Sequence, residues 1–380
     1  MKKLCFYNFL LFGGLFLFAT CISPYEYDGL KTMGRVLVVD GMITNDTTVV
    51  DLSWSIPVND ELLQRDTSVF VADAVVRIET NDGTRFEKAE YKGRGKYAIP
   101  NGVLEKGKQY RLYVSADGLE YASEFLSPLF TPAIDSLSWR LNQKGDNIYV
   151  CVSTHDPENQ SYYYRWSYKE IWEFHVELFA NGRMENGNRI WHSLTDNTYY
   201  CWGRDSSITY ILDSSEKLYK NVIAQKVLTK FPLSDERIST LYYIEVKQYQ
   251  IRKPAYDYYS NVRRNVEQTG SIFSTIPGEI KGNITCLSDP GRITVGYVEV
   301  ATMVEQKRFF EDLTGVYLPP VQDCAKNFMY IMYELPPGYE YYFLPPELSS
   351  SPPIWAPRRC VDCRERGTKN KPSFWPTENL

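Results

Sequence analysis

The feature that most limits the fold of this chain is a two-residue hydrophobic period, repeated in short runs that end in turn residues. In Val50-Asp51-Leu52-Ser53-Trp54-Ser55-Ile56, apolar Val50, Leu52, Trp54 and Ile56 alternate with polar neighbours. Alternation of this kind marks a strand with one buried face, whereas a helix needs apolar spacings of three and four. A strand is read at Arg35 to Val39, and Ala74, Val76 and Ile78 lead into Asn81-Asp82-Gly83, residues that tolerate the positive φ of a tight hairpin. Further on, Leu104, Gly107, Tyr110, Leu112 and Val114 close on Asp117-Gly118. A glycine turn followed by Tyr and alternating apolar residues resembles the tyrosine corner of Greek-key sandwiches. Turn signals recur with short strand spacing and no helical pattern intervenes, so residues 35–130 are expected to form an immunoglobulin-like or transthyretin-like β-sandwich.

The stretch from Ser127-Pro128 to Thr131-Pro132 interrupts the pattern, because proline cannot donate to a strand ladder. Alternation resumes at Ile134 to Trp139 and again at Ile148, Val150 and Val152, with further strands expected at 208–212, 242–249 and 291–300. One helix is expected from Pro254 to about Glu267, since proline suits the first turn and Ala255, Tyr259, Val262 and Val266 recur at helical spacing. Residues 131–318 are therefore read as a second antiparallel β-rich domain with one packed helix. Eleven of the 21 prolines fall between Pro319 and Pro376. That density favours extended backbone over a further domain. The aromatic residues of 319–380 imply a tail that packs along the body and does not hang free.

At the other end, Lys2 and Lys3 precede an uncharged run from Phe9 to Ala19, too short to span a bilayer and suited to a secretory signal. It ends at Leu17-Phe18-Ala19-Thr20-Cys21, which looks like a lipobox. Residues 1–20 are expected to be removed, Cys21 to carry the lipid, and 21–34 to serve as a tether. More than one acyl chain makes such an anchor stable. Acidic Glu26 and Asp28 close behind Cys21 resemble the acidic surface-export signals of such lipoproteins, a resemblance that implies the cell surface over the periplasmic face.

The chemistry-bearing motifs are few. The sequence holds no G-x-S-x-G, H-E-x-x-H or phosphate-binding G-x-x-x-x-G-K-[ST] pattern. Only three histidines, His155, His175 and His192, are available as bases or metal ligands. Neither a catalytic set, a metal site nor a cofactor is expected. His155, Asp156 and Glu158 would need a remote carboxylate to act as a hydrolase centre, and the plainer reading is a turn capped by Asp156. With 42 basic and 47 acidic residues the net charge is −5, and no Lys/Arg run exceeds two, which argues against nucleic acid.

Beyond Cys5 and Cys21, six cysteines remain: Cys151, Cys201, Cys286, Cys324, Cys360 and Cys363. In an exported chain all six are candidates for structural disulfides. Cys360-Val361-Asp362-Cys363 sits in a coil-rich tail, unlike a redox motif, and Cys324 is the expected partner of one of its members. The 30 tyrosines and 8 tryptophans exceed what strand pairing needs, and residues such as Tyr162, Tyr163, Tyr258, Trp355 and Trp375 are candidates for exposed interface aromatics.

The lipobox, the Cys21-Ile22-Ser23-Pro24-Tyr25 start, the stretch Ser271-Ile272-Phe273 to Gly282-Asn283-Ile284, and the closing Cys360-Val361-Asp362-Cys363-Arg364 to Pro372-Ser373-Phe374-Trp375 carry a resemblance. The chain resembles the Bacteroidota outer-membrane lipoproteins with the domain of unknown function numbered 4249. That resemblance implies an accessory lipoprotein of a TonB-dependent transporter and brings no catalytic residue with it. The expected function is a non-enzymatic, lipid-anchored outer-membrane protein that docks on such a barrel and binds a peptide or glycan. The alternative is a structural or adhesion lipoprotein without a small ligand.

Overall fold

The computed structural model describes residues 35–55, 69–185, 188–193, 198–268, 281–318, 324, 341–343 and 354–376. The signal segment, Cys21 and the tether lie outside these residues. The chain is mainly β and contains two sandwiches.

The first sandwich begins with eight consecutive strands: β1 (Leu37–Ile43), β2 (Asp46–Trp54), β3 (Val75–Thr80), β4 (Arg85–Phe86), β5 (Glu90–Gly93), β6 (Lys96–Gly102), β7 (Tyr110–Ala116) and β8 (Leu119–Ser123). The two-residue period of β2 places Val50, Leu52 and Trp54 in the core, and Asn81 to Gly83 turn β3 into β4 as expected. Tyr110 forms the corner: the backbone N–H of Glu105 donates to its hydroxyl at 2.9 Å.

After the first sandwich the chain builds the second: β9 (Ile134–Leu141), β10 (Asn147–His155), β11 (Tyr163–His175), β12 (Gly182–Glu185), β13 (Asn188–Trp191), β14 (Tyr200–Ser206), β15 (Ile211–Ser214), β16 (Val222–Pro232) and β17 (Leu241–Gln250). Helix α1 (Lys253–Gln268) follows, then β18 (Ile284–Cys286), β19 (Thr294–Val300) and β20 (Met303–Phe310). One sheet has the order β16-β10-β9 and the other β14-β11-β17-β20. The thirteen-residue β11 is bordered on one side by two short strands in tandem, β15 against Tyr163–Trp166 and β14 against Lys169–His175. Ile148, Val150, Trp166, Phe174, Ile244 and Phe310 fill the space between the sheets.

The expected boundary at residue 130 needs correction. Strands β18 and β19 return to the first sandwich, whose sheets run β19-β1-β2-β6-β5 and β18-β8-β7-β3-β4. Strand β19 pairs with β1 in parallel, from Leu37 opposite Thr294 to Ile43 opposite Val300. A parallel pair requires a long crossover, and here the chain between β1 and β19 carries β9 to β17 and α1 as well as the rest of the first sandwich, while β20 follows β19 and returns to the second. Residue 296 in β19 must be glycine: at φ +151° a Cβ would stand 2.4 Å from the Val39 carbonyl oxygen.

Helix α1 packs at the joint of the two sandwiches. Ala255, Tyr258 and Tyr259 meet Met42 and Tyr297 of the first sandwich and Tyr163 and Leu212 of the second. Val266, expected on the same stripe, is exposed because the last turn runs past this core. The joint also holds charge. Arg165 of β11 lies between the rings of Tyr210 and Tyr259, 4.7 and 4.6 Å from their centroids. Arg252 binds the buried carboxylate of Glu299 and donates to the Ser127 carbonyl. Burial raises the Glu299 pKa and Arg252 works against that rise.

The tail holds more regular structure than expected. Strands β21 (Tyr341–Phe343) and β22 (Ile354–Ala356) extend the β12–β13 hairpin into a four-stranded sheet. Disulfides join Cys201 to Cys363 and Cys324 to Cys360. Cys151 and Cys286, expected in disulfides, are instead buried thiols. They lie on β10 and β18 and so in different sandwiches, out of reach of each other; burial pushes the Cys151 thiol pKa up.

Candidate functional site

A cleft of about 670 Å³ opens at the joint, between the linker 128–133, the β6–β7 loop and the β10–β11 turn. Its geometry follows from local sequence. The linker prolines leave few backbone donors, and Leu129 and Thr131 tie the linker to the end of β19 and the residues after it. Leu129 donates to Val300, Thr302 donates back to Leu129, and Thr131 donates its N–H to the Thr302 hydroxyl. Beneath the linker, the buried Gln248 amide donates to the Pro132 carbonyl and to Thr154. The wall is therefore preformed.

Strand β10 ends at His155 beside the start of β9. The imidazole Nδ1 faces both carboxylate oxygens of Asp135, at 2.7 and 2.8 Å. In the neutral ring this fixes the proton on Nδ1 and leaves the Nε2 lone pair without a described hydrogen-bond partner. The neighbouring Asp156 has a different task. Its carboxylate accepts the backbone N–H groups of Glu158, Gln160 and Ser161 at 3.0, 2.8 and 2.7 Å. Burial acts to raise its pKa, but these three donors outweigh it and hold the carboxyl below its usual range. Asp156 is thus the turn cap and does not orient His155, so the sequence cluster His155, Asp156 and Glu158 does not act as one centre. Ser161, the one hydroxyl side chain lining the cleft, makes no hydrogen bond to His155.

Around this pair the cleft presents Phe130, 42% exposed, with the Lys106 ammonium 5.2 Å from its ring centroid. Gln250, at the end of β17, is 93% buried, since only 7% of it is accessible. Its N–H donates to Thr131 and its amide nitrogen to the Gln160 carbonyl at 3.3 Å. No described residue donates to its Oε1. Among the described residues no group of three His, Cys, Asp or Glu is placed to hold a metal ion, and no helix is long and apolar enough to cross a membrane.

The structure disperses the candidate interface aromatics. Tyr162 is exposed. Tyr163 and Tyr258 are buried at the joint, Tyr163 against Tyr256 at 5.1 Å and Tyr258 against Tyr297 at 5.8 Å. Trp375 is buried over Tyr243 and donates its indole N–H to buried Glu173 at 2.7 Å. The expectation of exposure fails for these three because each closes a gap between elements distant in sequence. Trp355 lies on β22 opposite Tyr342, and its side chain is outside the described residues. Sequence reasoning missed Lys106, Phe130, Asp135 and Gln250. The local signals were the proline-flanked break near 130 and the His155-Asp156 turn, but neither indicates which residues face them.

No curated protein matches this chain. Among solved structures, a two-domain fibronectin type III segment of chicken tenascin matches with 12% identity over 57% of this chain and 91% of that one, at a TM-score of 0.17. The sandwich assignment accordingly stands on the strand pairing alone. The family model described as "Domain of unknown function (DUF4249)" matches residues 22–307. Covering well over half of the 380 residues, that match makes the chain a member of the DUF4249 family.

Proposed function

We propose that this protein is a non-enzymatic binding protein, held at the outer membrane by acylated Cys21 and docked on a TonB-dependent transporter. One observation carries the binding reading: a preformed cleft at the joint of two sandwiches, with a His155–Asp135 pair that meets no hydroxyl or thiol nucleophile among the described residues. A cleft of this size suits a small ligand. The lipobox supports the anchor, and confinement to a membrane raises the effective concentration of a module beside its partner. The family resemblance read from the sequence supports the choice of partner.

The test is affinity purification of the protein, tagged after Leu380, from outer membranes solubilised in mild detergent. A TonB-dependent barrel at stoichiometric yield is expected. A protein that purifies alone, or with structural envelope proteins, refutes the docking and favours a structural lipoprotein. Mass spectrometry of the amino-terminal peptide tests the anchor. An unacylated Cys21 refutes it.

A further inference from the structure

We infer that the cleft at the joint of the sandwiches binds a short peptide with free amino and carboxyl termini; this rests on the binding reading above and names its ligand.

The argument begins with charge. Lys106, from the first sandwich, and Glu158, from the second, both line the cleft. Neither forms an ion pair with a described residue. One wall thus offers an ammonium and the other a carboxylate. A ligand carrying one charge of each sign satisfies both. A neutral saccharide leaves both without a counter-charge, and an anion such as a phosphate ester faces Asp135 as well as Glu158. Charges and polar groups that lose water to a ligand without gaining a partner cost affinity.

The second observation is the Gln250 amide. This side chain is nine-tenths buried, lines the cleft, and is held by Gln160 through its nitrogen. Its Oε1 is left to accept a hydrogen bond from the ligand, and a peptide N–H is such a donor. The His155 Nε2 offers a second acceptor. Leu129, Phe130, Pro132 and Ala133 supply an apolar floor for small side chains. The volume, about 670 Å³, lies within the range of small-molecule sites. The hydrogen bonds that hold the linker mean that little ordering accompanies binding.

The experiment is isothermal titration of the mature chain with trialanine, with its N-acetylated and C-amidated forms, and with maltotriose. The exposed variants Lys106→Ala and Glu158→Gln leave the core untouched. Trialanine is expected to bind, and each end block to weaken it roughly tenfold or more, as loss of a charge-assisted hydrogen bond does. Glu158→Gln should weaken trialanine but not the N-acetylated form, and Lys106→Ala should weaken trialanine but not the C-amidated form. Equal binding of the free and the end-blocked peptides overturns the inference, as does binding of maltotriose alone or of none of the ligands. Peptide binding by a protein that captures no barrel would sustain this inference and remove only the docking proposal.

Discussion

Residues 35–130 expressed alone should not fold, although they contain eight of the ten strands of the first sandwich. The fragment lacks β18 and β19, which bring Ile284, Val298 and Val300 into the core at 9%, 0% and 1% exposure. At roughly 1.5–3 kcal/mol for each fully buried aliphatic side chain, their loss removes about 5–9 kcal/mol. A whole domain is stable by only about 5–15 kcal/mol. The fragment also exposes two sheet edges, one along the full length of β1. Far-UV circular dichroism in a urea series and amide dispersion by NMR provide the assay, and a collapsed or aggregating species without a cooperative transition is expected. The same reasoning predicts a rescue. Because Glu124 donates to Asn283 at 3.1 Å, residues 35–126 joined to 281–302 by a short Gly-rich turn would form a β8–β18 hairpin and recover a cooperative transition. A cooperative urea transition of the unrescued fragment would refute the argument that these late strands complete the sandwich.

Three further outcomes are expected. Gly203 lies opposite Trp172 on β14, and a Cβ there would stand 2.2 Å from the indole. Gly203→Ala should therefore destabilise the protein by about 1–3 kcal/mol and alter tryptophan emission; an unchanged melting temperature would refute this. Burial raises the pKa of Glu173, an effect that the Trp375 hydrogen bond only partly offsets. A raised folded-state pKa means that the folded chain binds the proton more tightly, so stability falls as pH rises from the unfolded value of about 4.3 through the folded one. Glu173→Gln, which still accepts from Trp375, should be more stable than the parent at pH 7 and equal to it below about pH 4, as read from urea midpoints. The Cys201–Cys363 disulfide closes a separation of 162 residues. Breaking it with the double Cys→Ser substitution should cost up to about 5 kcal/mol in the chain-entropy account, and an unchanged urea midpoint would contradict that.

Much of the local structure was legible. The alternation in Val50–Trp54, the Asn81-Asp82-Gly83 turn, the Tyr110 corner, the Pro254 helix start and the Asp156 cap each depend on residues close in sequence, and local rules describe them. The candidate site was legible only in part. His155 stood out, yet the adjacent Asp156 is committed to backbone donors, and the residue that orients the imidazole is Asp135, 20 positions earlier.

The sequence by itself determined the strand period, the turns and the single long helix among the described residues, because these follow from the conformational preferences of neighbouring residues. Only the tertiary structure decided that β18 and β19 close the first sandwich, that Cys324, the partner expected for one cysteine of the C-x-x-C, takes Cys360 and leaves Cys363 to Cys201 while Cys151 and Cys286 stay thiols, and that Tyr163, Tyr258 and Trp375 are buried. A period of two states which face of a strand is apolar but is silent on what covers it. The covering partners lie tens to hundreds of residues away, and they are selected by closing sheet edges and excluding water from the joint.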